Sequence, residues 1–231
     1  MIEAVVFDID GTLLDHEGAV IKGIKEIYEQ YFRGSSKALK DFINLWAEEH
    51  DKYIQRYLDG KISFEEQRIL RLKGVFERMG EEIDEETARR YFEFYLDAYQ
   101  RGWKLYSDVE PCLKGLDGYR LGVLSNGDSD QQRKKLRETG LSEYFEEVVI
   151  SGDLGISKPD KRIFEEMIEL MGVEPPEILY IGDDYEADFL GAYDAGINPC
   201  LIDRELDGVE EVDQGLNIGT LCSLEKVLGW M

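Results

Sequence analysis

The second half of the chain alternates short runs of β-branched and aromatic residues with stretches of helical spacing, and this alternation admits few folds. Strands read at 3–7 (EAVVF), 120–125 (RLGVLS), 146–151 (EEVVIS), 177–182 (EILYIG) and 198–202 (NPCLI). Strands separated by helices cannot pair as tight hairpins, so they predict a parallel sheet covered by helices on both faces. The stretch from Ser129 begins with a Ser-x-x-Gln capping box through Gln132 and runs to about Gly140. The stretch after Pro159 sets Ile163, Phe164, Met167, Ile168 and Met171 on one face and stops at Gly172.

Between the first two strands the character changes. From about residue 17 to 105 no strand reads convincingly and apolar positions fall at helical spacing. Phe42, Trp46, Tyr53 and Tyr57 form one stripe; Ala88, Tyr91, Phe92, Tyr95, Leu96 and Tyr99 form another. A Ser63-x-x-Glu66 capping box opens a helix between them. So long a helical stretch exceeds what a simple crossover requires. The expected organisation is α/β: a doubly wound parallel-sheet core at 1–16 and 106–231, with an inserted all-helical domain at 17–105 hinged near 15–20 and 100–110. The aromatic stripes read as packing residues of that domain.

Composition excludes several kinds of partner. The 231 residues carry 27 Lys and Arg against 50 Asp and Glu, a formal charge of −23, which repels nucleic acid and anionic membranes. No run of 18 apolar residues and no basic-then-apolar leader is present, so a cytoplasmic protein is expected. Cys112, Cys200 and Cys222 are spread without a CxxC pair and read as reduced core residues. His16 and His50 stand alone, which argues against a histidine metal site or a histidine-based triad and leaves both as exposed polar residues.

Polar residues gather where ligands bind in open α/β sheets, beyond the carboxyl ends of the strands. The first strand ends in Asp8-x-Asp10-Gly11-Thr12, the second in Ser125-Asn126-Gly127. The third is followed by Ser157-Lys158-Pro159-Asp160, the fourth by Gly182-Asp183-Asp184 with Asp188 beyond. Asp8 and Asp10 point the same way off an extended segment, because strand side chains alternate with period 2. Like charges about 4 Å apart repel by about 4 kcal/mol at an effective dielectric near 20, so a cation is expected between them. Gly11 permits the sharp turn and Thr12 can hydrogen-bond it. Lys158 is the one evident basic partner of the acids.

These four segments, in this order and each after a strand, resemble the four motifs of the haloacid dehalogenase superfamily, in its phosphatase branch with a helical cap inserted after the first motif. The resemblance covers Met1 to about Ile202 and implies a Rossmann-like core. It further implies a Mg²⁺-dependent hydrolase acting on a small phosphate ester through an aspartyl-phosphate. Asp8 matches the nucleophile and Asp10 the general acid and base. The dehalogenases of the family lack the second aspartate, so Asp10 favours a leaving group that needs a proton. Ser125, the Asn126 amide and Lys158 match the phosphate-binding groups. Asp183, with Asp8 and the Asp10 carbonyl, would hold Mg²⁺. Asp184 reads equally as a water-mediated metal partner or a helix cap, and Asp188 as the acid paired with Lys158.

Two other readings stand beside the hydrolase. A sugar-phosphate mutase shares the fold and passes the phosphoryl group to a sugar. A phospho-accepting signalling or binding module also places acids, a hydroxyl and a lysine on a parallel sheet, though without DxDGT or an inserted domain. Oligomeric state and the physiological substrate are not legible in the sequence.

Overall fold

The computed structural model describes residues 1–229, the Leu58 side chain excepted; Trp230 and Met231, the end of the predicted core segment, lie outside them. The chain divides into two compact units, one made of Met1–Asp15 and the chain from Lys104 onward, the other of His16–Trp103. His16, Lys104 and Leu105 therefore fall on the other side of the predicted boundaries. The two connections are tied to each other within the first unit: the Asp15 N–H donates to the Lys104 carbonyl at 2.9 Å, and Leu14 bridges Leu105. His16 instead opens the first helix of the other unit, and its ring meets the Tyr99 hydroxyl at 3.2 Å.

The first unit contains β1 (Ala4–Phe7) and, after the insertion, α5 (Val109–Gly115), β2 (Arg120–Ser125), α6 (Ser129–Glu138), β3 (Glu147–Ile150), α7 (Ser151–Leu154) and α8 (Lys161–Met171). It continues with β4 (Ile178–Gly182), a π-helical turn over Tyr185–Leu190, α9 (Gly191–Asp194), β5 (Asn198–Ile202), β6 (Val209–Val212), β7 (Gly215–Ile218) and α10 (Leu224–Leu228). The insertion supplies α1 (His16–Tyr31), α2 (Leu39–Leu58), α3 (Phe64–Met79) and α4 (Glu85–Gln100).

The sheet runs β3-β2-β1-β4-β5-β7-β6, all pairings parallel except β6 with β7. Every residue of β1 is fully buried, as a central strand covered on both faces requires, and this explains why AVVF reads as a continuous apolar run. Phe7 pairs with Val123 on one side and Ile181 on the other; β2 runs on to Ser125 and β4 to Gly182, so the three parallel strands finish close together and deliver their last residues to one rim. The inner face of α8, with Ile163, Phe164, Met167 and Met171, packs on Val6, Leu124 and Tyr180. The β6–β7 pair was not anticipated: its VEEV strand is exposed and acidic, so no apolar alternation marks it.

The start of α6 also departs from expectation. Its cap is Asp128, whose carboxylate accepts from the Gln131 N–H at 3.0 Å, not Ser129. Gln132 takes no part in a capping box because its side chain turns inward, leaving the residue 1% exposed.

In the helical unit Phe42, Trp46, Ala88, Phe92, Tyr95 and Tyr99 are buried together with Ile24, Ile27, Leu72 and Phe76. Tyr53 and Tyr57 are only half-buried, so the first stripe runs out of the core toward its end. The box at α3 forms as expected: the Ser63 hydroxyl accepts from the Glu66 N–H at 3.1 Å and the Glu66 carboxylate from the Ser63 N–H at 2.7 Å. His50 is half-buried against Arg71 rather than exposed, and burial with that guanidinium pushes its imidazole down to about 4. All three cysteines are free thiols, but Cys222 is exposed and Cys112 half-buried, so only Cys200 is a core residue.

Candidate active site

Asp8 follows β1 directly, and its own N–H continues the ladder to the Ile181 carbonyl at 2.9 Å, which holds it at the rim. Its side chain is nearly buried and accepts from the Lys158 ammonium at 2.7 Å. The same ammonium donates to Asp188 at 2.5 Å and reaches the Tyr180 hydroxyl at 2.9 Å. Burial strips water from all these groups. Burial works to remove the proton from Lys158, yet Asp188 and Asp8 together hold it charged well above the ordinary lysine range. Burial likewise pushes the Asp8 carboxyl up, opposed by Lys158 and assisted by Asp188 and Asp10, and it settles at about 6.

Asp183 is the first residue after β4 and converges on the same point. Asp8, Asp183 and Asp188 can each offer a carboxylate oxygen with all three within 4.8 Å of one another. Although Asp183 reaches solvent, lost hydration and then the charges of Asp8 and Asp188 push its carboxyl up to about 7. Three hard oxygen donors, two of them with titration points raised by burial and then by neighbouring carboxylate charge, suit a small divalent cation. Two glycines permit the approach. Gly11 has φ +84°, and a Cβ there would stand 1.9 Å from the Asp183 carboxylate; a Cβ on Gly182 would stand 2.3 Å from the Asp188 carboxyl carbon.

The Asp10 carboxylate is turned to α6 rather than to this cluster. It accepts from the Lys135 ammonium at 2.6 and 2.7 Å and from the Gln132 amide at 3.0 Å. The Gln132 amide nitrogen also donates to the Ser125 hydroxyl at 2.9 Å, and Ser125 is buried at the end of β2. Asn126 uses both ends of its side-chain amide on the main chain of Lys158, donating to its carbonyl at 3.1 Å and accepting from its N–H at 2.8 Å. That amide is therefore a clamp on the lysine loop.

Thr12 does not hydrogen-bond the turn through its side chain; its hydroxyl is fully buried with no partner among the described residues. The turn is held through main-chain bonds from Leu13 and Leu14 to the Ile9 carbonyl, and by Arg204, which donates to the Thr12 carbonyl while pairing with Asp108 at 2.6 Å. Asp184 acts as a cap: its carboxylate accepts from the Glu186 and Ala187 N–H groups at 2.9 and 2.7 Å. Asp188 uses its second oxygen to accept from the Asp184 N–H at 3.1 Å.

Lys135, Gln132 and Tyr180 join the site, although Gln132 reads from the sequence only as the second half of a capping box and the other two are not singled out there. Lys135 corrects the expectation of a single basic partner. It is 1% exposed on the inner face of α6, three positions from Gln132, and two polar residues at that spacing beside the buried Leu136 were the available signal. Tyr180 sits inside an apolar strand, where nothing distinguishes it from a packing residue; its hydroxyl bonds Asp188 at 2.8 Å and the Leu124 carbonyl at 3.0 Å.

The chain is thus an α/β protein with a doubly wound sheet, an aspartate cluster and a buried lysine at the strand ends, and a helical insertion after the first strand. Residues 2–196 match the haloacid dehalogenase-like hydrolase family, and the chain belongs to it. It is 29% identical over 222 residues to a glyceraldehyde 3-phosphate phosphatase of Methanothermobacter thermautotrophicus, an alignment covering 91% of this chain and 89% of that one. The crystal structure of a HAD phosphatase from Thermococcus onnurineus is similar with a TM-score of 0.67 at 28% identity, over 99% of this chain and 98% of that one. The magnesium-bound YfnB of Bacillus subtilis shares the fold, with a TM-score of 0.78 at 23% identity and 98% of both chains covered. Among the described residues no helix is long and apolar enough to cross a membrane.

Proposed function

We propose that this chain is a Mg²⁺-dependent phosphomonoester hydrolase acting on a small phosphorylated metabolite, with the inserted helical unit as the family's cap domain. The observation that carries the reading is the buried Lys158 ammonium shared by Asp8 and Asp188 at the rim where Asp183 converges. The phosphatase relatives support it.

In this reading one Asp8 oxygen, its partner oxygen held by Lys158, attacks phosphorus; the ester P–O bond breaks and the alcohol oxygen takes a proton from Asp10. Water then attacks the aspartyl-phosphate, Asp10 receives the water's proton, and Asp8 departs as carboxylate while phosphate is released. Ser125, the main-chain N–H of Asn126 and Lys158 bind the phosphoryl oxygens and meet the charge that grows on them. Asp8, Asp183 and the main-chain carbonyl of Asp10 would hold Mg²⁺, and when bound it neutralises carboxylate charge and polarises the phosphoryl group. Asp188 keeps Lys158 in place.

The test is a phosphate-release screen over sugar phosphates, nucleotides, phosphoglycolate and small phospho-acids, run with Mg²⁺ and with EDTA, on wild type and Asp8→Asn. Release that needs Mg²⁺ and vanishes in a folded Asp8→Asn is the expected result. Full activity in EDTA would remove the metal, and activity surviving Asp8→Asn would remove the covalent step. Transfer to a second sugar phosphate without release of phosphate would make the chain a phosphotransferase.

A further inference from the structure

Helix α6 begins at the carboxyl end of β2, capped by Asp128, so its first two turns run alongside the rim. Helical spacing puts Gln132, Lys135 and Leu136 on one inward face. Leu136 is an ordinary buried leucine, but Gln132 and Lys135 are also each 1% exposed. Taking an ammonium out of water costs several kcal/mol unless a counter-charge meets it. Lys135 meets both oxygens of Asp10, whose side chain keeps 24% exposure. The Gln132 amide must present nitrogen to this carboxylate, which only accepts, and the same nitrogen reaches the Ser125 hydroxyl and, at 3.3 Å, the Asn126 carbonyl. One side chain thus links the acid of the first strand to the hydroxyl of the second.

We propose that Lys135 and Gln132 are positioning residues for Asp10, fixing its carboxyl at a set distance from the phosphate-binding Ser125 and so in reach of the departing oxygen. This inference rests on the reading of Asp10 as general acid and base. Neither residue touches substrate; each acts through Asp10. A carboxyl free to swing by about 1 Å loses proton-transfer geometry, and misplacement of that size costs on the order of 10²-fold.

The experiment compares kcat/KM on p-nitrophenyl phosphate and on whichever alkyl phosphate wild type hydrolyses fastest, for Asp10→Asn, Lys135→Met, Gln132→Met and the double variant Asp10→Asn/Lys135→Met. This quantity covers the steps up to departure of the alcohol, where p-nitrophenolate leaves without a proton and an alkoxide does not. Lys135→Met and Gln132→Met are expected to lose roughly 10- to 100-fold on the alkyl ester and less than about 3-fold on the aryl ester. The double variant is expected to be no slower than Asp10→Asn alone, since both act through one group. Equal losses on the two esters, or losses that multiply in the double variant, would reduce Lys135 to a structural ion pair and overturn the proposal. Equal losses in Asp10→Asn itself would instead strike the acid-base reading beneath it. If Lys135→Met does not fold, the charge-neutral double variant and Gln132→Met carry the same comparison.

Discussion

Replacing Asp183 by Asn should stabilise the metal-free protein at alkaline pH, although it removes a ligand of the proposed Mg²⁺ site. The carboxyl titrates near 3.8 in the unfolded chain and is pushed up to about 7 in the folded one, by lost hydration and by Asp8 and Asp188. A carboxyl raised on folding makes the folded state the better proton binder. Stability therefore falls as pH rises from about 4 to about 7 and is level above that. The interval of about three pH units corresponds to at most about 4 kcal/mol at 1.36 kcal/mol each. Because Asp183 reaches solvent, screening reduces this to about 1–2 kcal/mol. For a chain of this size that is about 2–8 °C in melting temperature. Asn carries no charge and escapes the whole term. Melting series in EDTA should show Asp183→Asn and wild type together at pH 4, and the variant higher by that margin at pH 8. Saturating Mg²⁺ should reverse the order, since a ligand bound only by the native state adds about 2.7 kcal/mol at a hundred times its dissociation constant, and the variant binds it less well. Metal-free curves that coincide at both pH values, or a gap that narrows as pH rises, would refute the argument that these carboxylates repel.

Two further outcomes follow from the same geometry. Lys158→Met leaves Asp8 and Asp188 buried and facing each other without a cation, and should cost about 3–5 kcal/mol in urea unfolding, with part recovered by adding Asp188→Asn. Gly11→Ala must accept a left-handed backbone, about 1–2 kcal/mol, and also drive the Asp183 carboxylate away, so its stabilisation by equal Mg²⁺ should be smaller than that of wild type.

The polar residues gathered at the strand ends were legible in the sequence. Asp8 and Asp10 were legible as two carboxylates at the end of an apolar run, with Gly11 beside them announcing a turn; but β1 ends at Phe7, and the two do not face one cation, since Asp8 meets Lys158 while Asp10 turns to Lys135 and Gln132. Ser125, Lys158 and Asp183 were legible because each ends or follows a strand whose apolar run is long enough to read. The helical insertion was legible from apolar spacing. The direction in which each side chain is spent depends instead on partners remote in sequence. Lys135 lies 125 residues from Asp10 and Lys158 lies 150 from Asp8, and only the strand order β2-β1-β4 makes them neighbours. Thus Gln132 serves Asp10 and Ser125 instead of a cap, and Asn126 clamps the Lys158 loop; the exposed Asp184, by contrast, spends its carboxylate locally, on the helical turn that follows it. A buried polar group bonds whatever the packed elements bring within about 3 Å, because leaving it unpaired costs more than any local preference gains. The β6–β7 pair obeys the converse rule: its strands are held by main-chain bonds at the sheet edge, which carry no side-chain pattern for a sequence to display.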